Sequence, residues 1–322
     1  MLSYSFTEEI LIDPIKQGAD CLKIITGYAT HTMASWHLKE INEYFSNHIQ
    51  TPIKIIVLIG MCNYDGLSKS VHNGFKQLVN ENSKSDYVRL QAQYIYKGTP
   101  VHSKVYLWER AGLPFCAFIG SANYTQASFL KFRREIMTRC NATEASEYFN
   151  MIEADSIYCN HYEVEEYITL HPIHPILTAE ENKISNLRDT NIPNVTLSFI
   201  TKTGETGIRS GINWGQRSGR EPNQAYIPLP SHIAKTGFFP LNKQHFSVIT
   251  DDDKQLILRV EQQNDKAITT PSNNSLLGEY FRNRLGLSNG AYVMAADFER
   301  YGRNNITFYK LDDEQFFMDF SV

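Results

Sequence analysis

Two short apolar runs rich in β-branched residues, 21–29 (CLKIITGYA) and 53–59 (IKIIVLI), flank a segment with helical spacing, and this succession constrains the fold more than any other feature. Runs of this length read as buried strands. The segment between them, 32–47, sets Trp36, Ile41, Tyr44 and Phe45 on one helical stripe. A strand, a one-faced helix and a second strand make an α/β layer in which helices cover a mixed or parallel sheet. The same texture continues with a helical segment over 65–82, strands at 101–108 and 115–119, a strand near Ile136 and a helix over about 143–159.

Around His171 the texture changes. Prolines at 172, 175 and 193 punctuate a polar stretch without a sustained apolar period, which reads as an interdomain linker. The expected boundaries are a first domain over 1–176, a linker over 177–194 and a second domain over 195–322. His171 and His174 lack supporting cysteines or carboxylates and read as ordinary linker histidines rather than metal ligands. From Val195 onward short strand candidates alternate with turn signals: VTLSFIT, QAYIPLP, HFSVIT, QLILRVEQQ, AYVMAADF and NITFYKL. With one helix expected over 274–285, this half is a mainly β module, plausibly a barrel.

Composition removes several function classes. A net charge of −4 and a pI near 6.2 exclude a protein that holds nucleic acid by bulk positive charge. No run approaches the roughly 18 uninterrupted apolar residues of a membrane span, and the N-terminus lacks a basic segment leading into an apolar one. Cys21, Cys62, Cys116, Cys140 and Cys159 are odd in number and form no Cys-x-x-Cys, so they read as reduced, mostly buried thiols of a cytoplasmic protein.

The chemistry concentrates between residues 101 and 135. On a strand, His102 and Lys104 share one face while Val101 and Val105 take the other. Gly120-Ser121-Ala122-Asn123 then brings a hydroxyl and a carboxamide to the end of the next apolar run, and Glu135 follows, where a carboxylate could fix the tautomer of an imidazole. Imidazole, ammonium, amide, hydroxyl and carboxylate suit attack on a phosphodiester, with Lys104 and Asn123 on the non-bridging oxygens, His102 on phosphorus and no metal required.

This set resembles the signature of the phospholipase D superfamily: His-x-Lys, an acidic residue, then Gly-Ser-x-Asn. Where that family carries an Asp five residues after the Lys, this chain has Glu109, which reads as structural; the nuclease branches use the downstream Glu, matching Glu135. The resemblance implies a phosphohistidine intermediate and two histidines per active site. Because the chain holds one copy of the motif, it also implies a homodimer through the nuclease domain, with two His102 residues across a twofold axis.

In the second half, 208–230 combines Arg209, Arg217 and Arg220 with Asn213, Gln216 and Asn223, together with Ser210 and Trp214. Arginine suits guanine edges, asparagine and glutamine suit adenine edges, and all serve phosphate. A second polar stretch supplies Lys266, Ser272, Asn273 and Asn274, followed by Arg282. This half resembles the B3-like DNA-binding pseudobarrel of type II restriction endonucleases of the BfiI and NgoFVII group, in which a phospholipase D-like nuclease domain comes first. The resemblance implies a double-stranded DNA partner, a cognate DNA methyltransferase, a linker able to hold the nuclease idle, and in some relatives a separately encoded helicase-like ATPase. This chain has no ATP-binding Gly-x-x-x-x-Gly-Lys-Ser/Thr of its own. Two rivals remain open: a DNA-binding regulator with an inactive nuclease-like dimerisation domain, and a lipid-acting phospholipase D-type enzyme, which would need a membrane-docking segment not evident here.

Overall fold

The computed structural model describes residues 6–45, 52–83, 85–131, 133–172 and 191–322. The chain forms two compact units, Met1–Ile173 and His174–Val322. The expected boundary after residue 176, His174 and the linker up to residue 190 lie outside the described residues.

The first unit is built on a seven-stranded mixed sheet. Its strands are β1 (Cys21–Thr26), β2 (Ile53–Ile59), β4 (Val88–Ile95), β5 (Val105–Arg110), β6 (Leu113–Gly120), β7 (Met137–Cys140) and β8 (Ser156–Tyr158), while β3 (Leu67–Ser68) and β9 (Leu170–His171) form a separate small pair. Spatial order is β7-β6-β5-β1-β2-β4-β8. The central strands β1, β2 and β4 run parallel, and the rest add antiparallel on either side. Parallel neighbours need crossovers, and the longer helices α1 (His31–Phe45) and α2 (Lys69–Asn82) supply them; α3 (Ala142–Glu153) follows β7 and packs beside β5 and β6. The apolar core on that side joins Ile25, Ile56, Leu58, Val105, Leu107 and Phe149.

Several elements depart from the sequence expectation for local reasons. The helix expected over 65–82 is interrupted at Gly66, whose φ of 72° is left-handed, and α2 starts afresh where the Ser68 hydroxyl accepts from Val71 N–H at 3.2 Å. The helix expected over 143–159 ends at Glu153, because Ser156–Tyr158 pairs as an edge strand with β4. β4 itself went unread: its Val88, Leu90, Ala92 and Tyr94 are buried, but arginine and glutamine between them dilute the apolar run. The strand expected over 101–108 enters the ladder only at Val105, opposite Ile25; Val101 instead donates its N–H to Gly60 at 3.0 Å.

The second unit is a seven-stranded sheet of β10 (Asn194–Ser198), β11 (Ile227–Pro228), β12 (His245–Thr250), β13 (Gln255–Glu261), β14 (Ala267–Thr269), β15 (Asn305–Lys310) and β16 (Gln315–Asp319), in the order β10-β15-β16-β12-β13-β14-β11. All pairs are antiparallel except β12 with β16. The two edge strands approach one another, so the sheet nearly closes into a barrel. All six residues of β12 are buried. Phenylalanine fills the interior: Phe239 meets Phe308 edge-on at 5.2 Å, and Phe199 meets Phe281 at 4.6 Å. Helix α4 (Ser275–Arg284) matches the helix expected over 274–285. The strand expected at AYVMAADF is instead helix α5 (Ala295–Tyr301): Asp297 accepts from the Met294 N–H at 2.8 Å, and Gly302 in the left-handed region stops the helix.

Candidate active site and nucleic-acid interface

The residues singled out between 101 and 135 converge beyond the carboxyl ends of β1 and β2, the place where parallel sheets usually hold ligands. Glycines make the approach possible. A β-carbon on Gly27 would stand 2.9 Å from His102 Cδ2 and 3.5 Å from Asn123 Oδ1, so both side chains close over bare backbone. On Gly120 a β-carbon would meet the Ile136 carbonyl at 2.0 Å, so the glycine of Gly-Ser-x-Asn lets the segment carrying Glu135 lie against Ser121.

His102 is exposed and Lys104 is buried beside it. The Lys104 ammonium lies 3.1 Å and 3.2 Å from the two ring nitrogens of His102 and donates to the His102 carbonyl at 2.6 Å. Burial pulls the Lys104 pKa below its usual value, and the nearby Glu135 carboxylate opposes part of that pull. Asn123 is oriented by its oxygen: Oδ1 accepts from the Tyr28 N–H at 3.2 Å and lies 3.2 Å from Thr26 Oγ1. That orientation leaves the Asn123 amide hydrogens for a ligand, since among the described residues nothing accepts from them.

Glu135 lies half-buried near Lys104, yet its hydrogen bonds go to Ser121 and, at 3.1 Å, to Ser128; among the described residues it makes none to His102. The tautomer-fixing contact expected between Glu135 and His102 is thus absent from this conformation, because two serine hydroxyls hold the carboxylate. Ser121 Oγ also accepts from the Ile136 N–H at 3.0 Å. Glu109 sits at the far end of β5, paired with Lys23 at 2.8 Å, as a structural residue would be.

A buried relay supports the Asn123 turn. Tyr124 OH lies 2.8 Å from His37 Nδ1, and His37 Nε2 lies 3.2 Å from the Leu11 carbonyl, which requires the proton on Nε2. Burial lowers the His37 pKa to about 4, so Nδ1 remains an acceptor at neutral pH. Sequence reasoning missed Thr26, Gly27, Tyr28 and Ser128. A glycine ending a buried parallel strand was the available signal for the first three.

The polar set of the second unit divides differently. Arg209, Arg217 and Arg220 are exposed. Arg217 Nε donates to the Arg209 carbonyl at 2.8 Å, while the Arg220 guanidinium stacks 3.9 Å above the Trp214 ring and donates to Gln224 at 3.1 Å. Lys266, Ser272 and Asn273 are also exposed, with Ser210 half-buried. Asn213 and Arg282, expected to touch DNA, are fully buried. Asn213 bridges both backbone groups of Val293, at 2.8 Å and 2.9 Å, and Arg282 donates to the carbonyls of Ala291, Ile212, Gly278 and Asn223. With their polar atoms spent on backbone, these two hold the loops together and cannot reach base edges in this conformation. Asn223 and Gln216 both bind Gly290, and Asn274 accepts from Thr269 at 2.6 Å, so these three also serve the loop framework.

Among the described residues no three His, Cys, Asp or Glu side chains converge on a common point, and no helix is long and apolar enough to cross a membrane. Residues 5–166 match the family described as the NgoFVII restriction endonuclease N-terminal PLD domain, and residues 187–312 match the NgoFVII C-terminal B3-like DNA-binding domain. Among solved structures, NucT from Helicobacter pylori is similar at 14% identity, over 49% of this chain and 96% of that one, with a TM-score of 0.31. No curated protein matches. The chain therefore belongs to the NgoFVII restriction endonuclease family, as a deoxyribonuclease with a phospholipase D-like domain first and a B3-like DNA-binding pseudobarrel second.

Proposed function

We propose that this protein is a homodimeric restriction endonuclease that hydrolyses double-stranded DNA at or near a short specific site through a phosphohistidine, without a metal ion. The observation that carries the reading is the convergence of His102, Lys104 and Asn123 over Gly27: a nucleophile, a cation and an amide donor facing one volume. Lys104 and Asn123 bind the non-bridging oxygens and neutralise charge as it builds in the transition state. A neutral ring nitrogen of His102 attacks phosphorus and forms a P–N bond. The P–O bond to the leaving strand breaks as the partner subunit's His102 gives that oxygen its proton. Water then attacks the phosphohistidine, yields its proton to the partner subunit's His102, and the P–N bond breaks. Ser121 and Glu135 hold the wall beside Lys104.

Site reading belongs to the second unit. Arg209, Arg217 and Arg220 are exposed cations of the polar stretch over 208–230, and the stack on Trp214 pre-organises Arg220. Self-cleavage is prevented by a cognate methyltransferase that masks the site in the host.

The test is cleavage of plasmid DNA by wild type and His102→Ala, purified protein alone in EDTA, and separately with Mg²⁺, ATP and cell extract to supply a helicase-like ATPase. Discrete fragments from wild type alone support the reading. Cutting by the purified protein that requires added Mg²⁺ without ATP or extract refutes the metal-independent route, Mg²⁺ dependence seen only with ATP and extract points to the partner ATPase, and sequence-specific binding without cutting under any condition favours the regulator.

A further inference from the structure

An exposed imidazole that must attack phosphorus needs something to hold its ring, since the outer torsion of histidine is broad and soft. Among the described residues no carboxylate touches the His102 ring. Its surroundings are the Lys104 ammonium, the Gly27 backbone and the ring of Tyr28. The Tyr28 and His102 rings meet edge to face, with centroids 5.9 Å apart and planes at 78°.

We infer that Tyr28, tethered by Asp65, is the residue that positions the His102 imidazole for attack, in the place a hydrogen-bonding carboxylate would otherwise take. The inference rests on His102 being the nucleophile. Tyr28 is 43% exposed, and an aromatic ring so exposed would ordinarily turn freely. Here the backbone is held at two points and the ring at a third. Its N–H binds Asn123 Oδ1 at 3.2 Å, its carbonyl accepts from Thr26 Oγ1 at 2.8 Å, and its hydroxyl donates to the Asp65 carboxylate. Asp65 is anchored in turn: its N–H donates to Met61 O at 2.9 Å, and its carbonyl lies 3.0 Å from His171 Nε2. The hydrogen bond to Asp65 also raises the Tyr28 pKa. The 26–28 segment therefore orients both the nucleophile and the phosphate-binding amide.

The experiment compares Tyr28→Ala, Tyr28→Phe, Asp65→Ala and His102→Ala in the full-length protein, measuring single-turnover cleavage of a plasmid, equilibrium binding to the same DNA, and thermal melting. A misplacement of about 1 Å can cost roughly 100-fold in rate, so Tyr28→Ala is expected to slow cleavage about 10- to 100-fold with DNA affinity unchanged. Tyr28→Phe and Asp65→Ala both keep the ring edge and cut the same tether, so both are expected to fall between wild type and Tyr28→Ala. Three results overturn the inference: Tyr28→Ala at the wild-type rate, Tyr28→Phe either at the wild-type rate or as slow as Tyr28→Ala, or a loss of affinity that accounts for the loss of rate. Should Tyr28→Ala melt early, Asp65→Ala decides, and an unchanged rate there refutes the tether. Cleavage by His102→Ala would instead remove the nucleophile assignment, and the positioning role with it.

Discussion

The two polar clusters of this chain look alike as sequence and behave oppositely in the structure. In the nuclease unit, His102 and Lys104 from one stretch and Asn123 from another are brought together beside Gly27. In the DNA-binding unit, residues of the same polar kind are separated: Arg220 faces solvent on Trp214, while its near neighbour Asn213, and Arg282 of α4, turn inward and bind backbone. A catalytic set is recognisable by the complementarity of its functional groups. A reading loop is mostly Arg, Asn and Gln, and those residues are as good at closing a loop as at reading a base.

Substitutions can break that contrast. The largest effect is expected at Lys104: replacing it with Ala removes the buried cation beside His102 and should lower the cleavage rate by about 10²- to 10³-fold with site affinity nearly unchanged, read by single-turnover kinetics and equilibrium binding. Next comes Arg282→Ala, which orphans buried carbonyls and should reduce folding stability by about 2–4 kcal/mol in urea denaturation. If Arg282 were a DNA contact, stability would hold and only binding would fall. Arg220→Ala should do the reverse, leaving stability within about 0.5 kcal/mol and costing about 1–3 kcal/mol in specific binding. The smallest change is expected for Ser128→Ala, which removes one of the two serine bonds to Glu135 and should slow cleavage by less than about 10-fold.

Much of the nuclease site was legible because its parts lie in short local patterns: His-x-Lys before β5, Gly-Ser-x-Asn at the end of β6, and Glu135 just after. Tyr28 and Gly27 were not, since they reach His102 only through the pairing of β1 with β5, which no local pattern encodes. The central strand β2 stood out as an apolar run broken only by Lys54, and β12 matched its reading residue for residue. AYVMAADF was misread because its apolar start mimics a strand, while Asp297 and the alanines belong to a capped helix. Composition marked the 208–230 loop as polar, but inside and outside of a loop differ by three-dimensional neighbours, so Asn213 could not be told from Arg209 and Arg217, and the same holds for Arg282 on α4.

The central claim is that His102 is the nucleophile. Wild type and His102→Ala, rapidly acid-quenched or held at neutral pH during DNA turnover in EDTA, can be compared by ³²P transfer to protein from labelled plasmid. The account predicts an acid-labile protein-bound phosphoryl adduct and site-specific fragments for wild type, and neither for His102→Ala. Site-specific fragments from His102→Ala, or cleavage by wild type with no protein-bound label at any time, would contradict it.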